Sequence, residues 1–204
     1  MIVAAVFLFL TLLLFVYANT LRPPHGPTPP DGPPDPRVLR PYLDDARTNV
    51  RRYLQQLDPT VTDDDVRANI FLPQTTASAG GSGVALGIPS RLCLNMNLAI
   101  ERDITFQPGE GATGQAYQRG DALIACRDPS TTVPWDAKYR LTPDQVHRIH
   151  PELRWVISLP IKADSGSVVG VANVDCLKHE FSYNDLEHCA DIAAAFVELM
   201  GKLF

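Results

Sequence analysis

No cysteine pair at CxxC spacing, no zinc-type grouping of Cys and His, and no basic run beyond Arg51-Arg52 occurs in this chain. Each absence removes a class. The four cysteines, Cys93, Cys126, Cys176 and Cys189, are too scattered for a zinc site and too few for a disulfide framework in 204 residues. They read as reduced, mostly buried thiols. Nucleic acids are held through clustered Lys and Arg, so a formal charge of -5 without such a cluster argues against a nucleic-acid partner. Charged residues make up only 20% of the chain against 45% hydrophobic, enough apolar material for most of it to bury a core and fold.

The apolar material is uneven. "MIVAAVFLFLTLLLFVYA", Met1 to Ala18, carries no charge, and as a helix it would reach about 27 Å, near the thickness of a bilayer interior. A cleaved signal peptide, with Val16-Tyr17-Ala18 as its cleavage site, would need a positive residue ahead of the run, and none is there. The positive residues come after it, at Arg22, Arg37 and Arg40, which puts the C-terminal side in the cytosol. The expectation is a single-pass anchor over residues 1–19 in the cell membrane, with the soluble domain in the cytoplasm. Residues 20–37 form a Pro-rich linker: "PPHGPTPPDGPPDP" (Pro23 to Pro36) has little to bury except its prolines. It reads as an extended spacer, with an SH3-type ligand as the alternative.

Residues 38–58 are expected to be a helix. Leu43, Ala46, Val50, Tyr53 and Leu57 are spaced 3-4-3-4, Pro41 suits a first turn, and Asp44 and Asp45 complement the dipole there. The seam can pack on its own domain, pair with a second chain, or do both. "VRANIFLP" and the alternating "RLCLNMNLAI" read as strands, separated by a Gly/Ser-rich exposed loop, "QTTASAGGSGVALGIPS". "ALIAC", "RWVISLPIK" and "SVVGVANVDC" are further strands, the last two forming an antiparallel hairpin around Asp164-Ser165-Gly166. Ser182 and Asp185 resemble a capping box, with Phe181 and Leu186 as a staple, at the start of a C-terminal apolar helix. The fold class is α+β, an antiparallel sheet with helices on one face.

Gly109-x-Gly111-x-x-Gly114, with Asp128 further on, imitates a dinucleotide-binding turn. Only "QAYQRGD" separates the last glycine from the next strand, too short for the crossover that parallel pairing requires. The preceding "AIERDITFQP" also lacks the continuous apolar run of a buried parallel strand. The three blocks "TFQPGEGATGQAYQRGDALIACRD", "ELRWVISLPIKADSGSVVGVANVD" and "HEFSYNDLEHCADIAAAFVELM" instead resemble, in order, those of a GAF domain. The resemblance implies a GAF-like domain over residues 60–204, its glycines serving positive φ and close contact. The LPI and GVANVD strands are expected at the sheet centre. The N- and C-terminal helices are expected to pack side by side on one sheet face, opposite a ligand pocket.

GAF-like domains are mostly small-molecule sensors, and many mediate dimerisation. The pocket segment here would be Cys126 to Glu152, offering Arg127, Asp128, Trp135, Tyr139, His147 and His150 as anion-fixing or ring-stacking groups, with Asn173 on the last strand. The cyclic-nucleotide pattern is matched in part by Asn173, Phe181 and Asp185, but Leu186 stands where a Glu belongs and Lys178 is displaced. Cys126 is followed by Arg, against covalent bilin attachment. The methionine-sulfoxide reductase branch carries a cysteine inside the glycine motif, where this chain reads Gly111-Ala112-Thr113-Gly114. Haem through His147 or His150 remains open, and the cofactor stays unknown. The leading expectation is a membrane-anchored cytosolic sensor, not itself an enzyme, that binds a small molecule and signals through a homodimer or a partner protein. A ligand-free assembly module and a thiol reductase using Cys126 with Cys93 or Cys176 are the alternatives.

Overall fold

The computed structural model describes residues 34–78, 81–127 and 134–204; the expected anchor, most of the Pro-rich linker and Asp128 lie outside them. Among the described residues no helix is long and apolar enough to cross a membrane. Helix α1 (Pro36–Leu57) is followed by strands β1 (Val66–Ser78), β2 (Gly81–Gly87) and β3 (Cys93–Leu94), the short helix α2 (Ala99–Arg102) and β4 (Thr105–Phe106). Then come α3 (Gly111–Arg119), β5 (Leu123–Cys126), α4 (Trp135–Tyr139), α5 (Pro143–Arg148), β6 (Leu153–Lys162), β7 (Val168–Leu177) and α6 (Tyr183–Gly201). Among the described residues seven strands form one sheet in the order β4-β2-β1-β7-β6-β5, with β3 also on β1. Every pairing is antiparallel; β7 holds the centre with β1, whereas β6, which the resemblance also placed at the centre, lies next to the edge strand β5.

Helix α1 starts earlier than its heptad spacing suggested. Asp35 caps it by accepting from Arg37 N, and Pro36 takes the first position, where a missing N–H costs nothing. Pro41 therefore lies inside the helix, not in its first turn. The buried stripe is Leu39, Leu43, Ala46, Arg47, Val50 and Leu54, while Leu57, expected in the seam, is exposed. The Gly/Ser-rich stretch is mostly strand among its described residues. Thr75 pairs with Val84 and Leu72 with Gly87, so β1 and β2 form a long hairpin through it. "RLCLNMNLAI" gives only the two-residue β3 and the start of α2, because Asn95 takes a positive φ of 59° that breaks the alternation.

The hairpin and the C-terminal cap stand as read. Gly166 (φ 81°) turns β6 into β7, and its N–H donates to Ala163 O at 2.8 Å. Ser182 Oγ accepts from Asp185 N at the start of α6. Helices α1 and α6 pack on each other and on one sheet face. That face is apolar on every central strand: Val66, Ala68 and Ile70 of β1, Trp155, Ile157, Leu159 and Ile161 of β6, and Ala172, Val174 and Cys176 of β7. The glycine turn lies on the opposite side. Gly109 (φ 92°) and Gly111 (φ 61°) take left-handed conformations, and a Cβ on Gly114 would stand 2.2 Å from Gln107 O. Close approach to the turn itself, not helix–sheet contact, is what Gly114 serves.

One carboxylate ties the loops at the edge of this frame. Asp65 Oδ2 accepts from Thr62 N at 2.8 Å and from Thr62 Oγ1, with His179 Nε2 at 3.4 Å; Lys178 Nζ lies 3.8 Å from Oδ1. Burial pushes its pKa up, but the Thr62 donors and the charges of His179 and Lys178 outweigh that, so the folded pKa is lowered. The stabilisation is therefore present above the unfolded value of about 4 and is lost as pH falls through the folded pKa. Asp65→Asn is expected to lower the urea midpoint at pH 7, with the gap to the parent protein closing progressively below about pH 4.

Candidate functional site

The sheet's second face carries the unusual chemistry. Alternation sends Arg67, Asn69 and Phe71 of β1 to this side, together with Asn173 and Asp175 of β7. Arg67 sits directly opposite Asp175, and Asn69 opposite Asn173. A polar row in a half-exposed sheet normally faces water. Here Arg67, Asn69, Asn173 and Asp175 are each 4% exposed or less.

Their burial is made tolerable by pairing. Arg67 Nε donates to Asp175 Oδ1 at 2.6 Å, and Nη1 donates to both carboxylate oxygens of Glu101 at 2.9 Å. Burial works against charge on Arg67, but Asp175 and Glu101 overcome it and raise its pKa, so the guanidinium stays charged. Glu101 comes from α2, and its Oε1 also accepts from His150 N at 3.1 Å. One carboxylate thus joins β1, α2 and the loop before β6. Beside it, Asn173 Nδ2 donates to Asn69 Oδ1 at 3.0 Å and to Thr113 Oγ1 at 2.9 Å, while Asn69 Nδ2 reaches Met96 Sδ at 3.5 Å.

A cavity of about 70 Å³ lies against this floor. Its walls are Phe71, Met96, Ile104, Phe106, Trp135, Tyr139, Leu141 and Val156. Phe71 and Phe106 meet with ring centroids 5.4 Å apart, and Trp135 and Tyr139 at 4.8 Å. The roof is fastened from α5, where Thr142 and Gln145 form a capping box. Gln145 Nε2 also donates to Thr105 O at 2.8 Å and to Glu110 Oε2 at 3.0 Å, locking α5 to the glycine turn.

Open valences remain inside. Of six buried side-chain atoms without a hydrogen-bond partner among the described residues, Asn173 Oδ1 and Trp135 Nε1 line this cavity. Asp175 uses Oδ1 for Arg67 and leaves Oδ2 unbonded among the described residues, as Arg67 leaves Nη2. Buried polar atoms are nearly always satisfied, so these two atoms retain an unused hydrogen-bonding capacity facing the cavity.

Of the residues the sequence proposed, Trp135, Tyr139 and Asn173 line this cavity. Arg127 does not: its Nη1 donates to Pro151 O at 2.6 Å, its Cζ lies 5.9 Å from the Trp135 ring centroid, and it lines a separate cleft with Arg154 and Trp155. His147 is exposed on α5. His150 turns its ring Nδ1 to Glu152 N at 3.2 Å, and neither histidine lines the cavity. Asp128 lies outside the described residues. Arg67, Asn69, Glu101, Thr113 and Asp175 were missed. For Arg67, Asn69 and Asp175 the signal was a polar residue alternating with apolar ones in "VRANIF" and "VANVDC", which in a single strand reads as a solvent face; Glu101 and Thr113 gave none.

The thiols are poorly placed to work as a pair. Cys126 and Cys176 both lie in the row of Trp155, one strand to either side of it. That separates their Cα atoms by about 10 Å, beyond the roughly 7 Å limit for a disulfide. Cys93 pairs with Asn69 on the far side of β1 and is no nearer to either. Burial and, secondarily, Asp185 push the Cys189 thiol up to about 12, and burial raises Cys176 as well, so neither is a thiolate at neutral pH.

No protein-family model matches the chain, and no curated protein matches it. Among solved structures it is similar to a type II free methionine-R-sulfoxide reductase from Thermoplasma acidophilum, at 16% identity and TM-score 0.43, covering 80% of this chain and 97% of that one. It is similar to the nlh2 GAF domain of A. aeolicus in an inactive state, at 19% identity and TM-score 0.47, over 81% and 97% of the two chains. A GAF domain/HD domain protein from Geobacter sulfurreducens gives 14% identity and TM-score 0.47, over 83% and 98%. GAF domains and methionine sulfoxide reductases stand side by side among these structures. The chain's own topology agrees with the expected layers: an antiparallel sheet with β1 and β7 at its centre, terminal helices paired on one face, and a cavity on the other.

Arg67→Met would leave two buried carboxylates without their cation and is expected to cost about 3–5 kcal/mol. Glu101→Gln leaves Asp175 to balance Arg67 and is expected to cost clearly less. Urea denaturation of the two variants checks the order.

Proposed function

We propose that this chain is a small-molecule-binding sensory module of the GAF type. The observation that carries the reading is the pair of unpartnered buried groups, Asn173 Oδ1 and Trp135 Nε1, lining a cavity whose floor is polar and whose walls are aromatic. A protein that only needed a core would gain stability from apolar residues at these positions. Ligand binding would draw on segments joined through Glu101 and Gln145, giving a route from an occupied cavity to α2, α5 and the glycine turn. Output through a homodimer or a partner protein, and anchoring through Met1 to Ala18 on the cytoplasmic side, belong to the same proposal. Fractionation of the full chain tests the anchor: recovery in the membrane pellet is expected, and recovery as a soluble protein with Met1 to Ala18 intact contradicts it.

One observation favours a second reading, a ligand-free assembly module. The cavity of about 70 Å³ is well below the roughly 300–1,000 Å³ of drug-sized ligand pockets. The ligand of the first reading is therefore small, or the cavity widens to take it. A thermal-shift screen of the full chain against amino acids, amines, small oxyanions, nucleotides and tetrapyrroles separates the two. At least one saturable stabilisation is expected, growing with ligand concentration. No stabilisation from any class would leave the assembly module as the surviving account.

A further inference from the structure

The geometry points to a ligand class for this cavity: a small cation bearing N–H donors, a primary ammonium group, held by Asp175 and Asn173 within the aromatic walls. The inference rests on the reading of the cavity as a ligand site.

Charge balance comes first. The floor holds one cation, Arg67, between two carboxylates, Asp175 and Glu101, all with side chains 6% exposed or less. That leaves a buried excess of one negative charge. The other lining cation, Arg148, is already held by Asp144, with Nε 2.7 Å from Oδ2, and so adds no net charge. Uncompensated charge in a dry site is costly, and a bound cation would remove the cost.

The open atoms agree in kind and position. Asn173 and Asp175 lie two residues apart on β7, so their side chains leave the same face of the strand. One offers Oδ1 and the other Oδ2, both acceptors without a protein donor among the described residues. An ammonium group has three donors and can serve both. The rings of Phe71, Phe106, Trp135 and Tyr139 line the same space, and a cation seated over a ring face would be attracted there. The open donors, Trp135 Nε1 and Arg67 Nη2, call for an oxygen acceptor elsewhere in the same molecule. An anion could take those two donors, but it would enter a site already negative.

A matched series tests the class. Ethanolamine, ethylene glycol and glycolate share a two-carbon hydroxylated frame and differ in charge. Calorimetric titration of the full chain is expected to show ethanolamine bound at least tenfold more tightly than either of the others. Equal or tighter binding of glycolate or ethylene glycol overturns the class, as does failure of all three while a ligand without an ammonium group binds. In both cases the sensory reading stands. If no compound of any class binds, the sensory reading falls as well.

Asp175→Asn is expected to weaken ethanolamine at least tenfold, but this residue also holds Arg67. Asn173→Asp adds negative charge beside the open acceptor but removes the Nδ2 donor to Asn69 and Thr113, so its readout is the ratio of the two affinities, which is expected to rise in favour of ethanolamine over glycolate. A parallel loss of both would assign Asn173 a purely structural role and sink the proposal.

Discussion

The guanidinium of Arg67 is the constraint on which the pocket side of the molecule depends. It lies at the junction of β1 and β7, faces Asp175 across the strand pair, and is gripped by Glu101 from a separate helix. Breaking a buried pair of this kind by removing one partner is costly, whereas replacing the whole set with apolar residues would often be neutral or better. The set is therefore poorly explained by stability alone. What it does accomplish is position: it fixes the β3–α2 segment and the loop before β6 to the centre of the sheet, with a cavity between them.

The two faces of one sheet divide the work. The face under α1 and α6 is apolar on every central strand, and its burial supplies most of the hydrophobic stabilisation. Because that face is complete, the opposite face can carry charged and amide groups. Around it the parts are rigid where rigidity aims a side chain. Thr113 sits in the first turn of α3, placed by Gly109 and Gly111, whose positive φ values turn the chain back under the sheet. Gln145 holds α5 down through a cap and two further hydrogen bonds. The glycines that imitate a nucleotide-binding turn thus shape a wall of the cavity.

Much of the frame was legible in the sequence because its signals were local. The turn at Gly166, the cap at Ser182 and the short separation between Gly114 and β5 each decided a piece of topology from a few residues. The β1–β2 hairpin was not legible, because Gly and Ser in "TASAGGSG" suppress strand propensity and only pairing with a neighbour restores it. The start of α1 was missed because Pro41 resembled a first-turn proline, while the true cap, Asp35, sat in a Pro-rich stretch. The floor of the cavity was hidden for a deeper reason. Polar alternation in one strand does not reveal whether water or a second layer covers that face. Trp135 and Tyr139 were found because aromatic side chains in a suspected pocket segment attract attention, and Asn173 through a partial match to a cyclic-nucleotide pattern on the last strand. Arg67 and Glu101, 34 residues apart in the chain, have meaning only once the fold joins them.

A ligand held on the buried polar face would lie against Trp135 and away from Trp155. The chain has two tryptophans, one in the cavity wall and one in the opposite core, and each indole N–H gives its own nuclear magnetic resonance signal. Titration with a ligand that stabilises the protein should move the Trp135 indole signal, as its unpartnered Nε1 gains an acceptor, and leave Trp155 in place. A ligand that shifts Trp155 while Trp135 stays fixed, or that leaves both unmoved at saturation, would contradict the account.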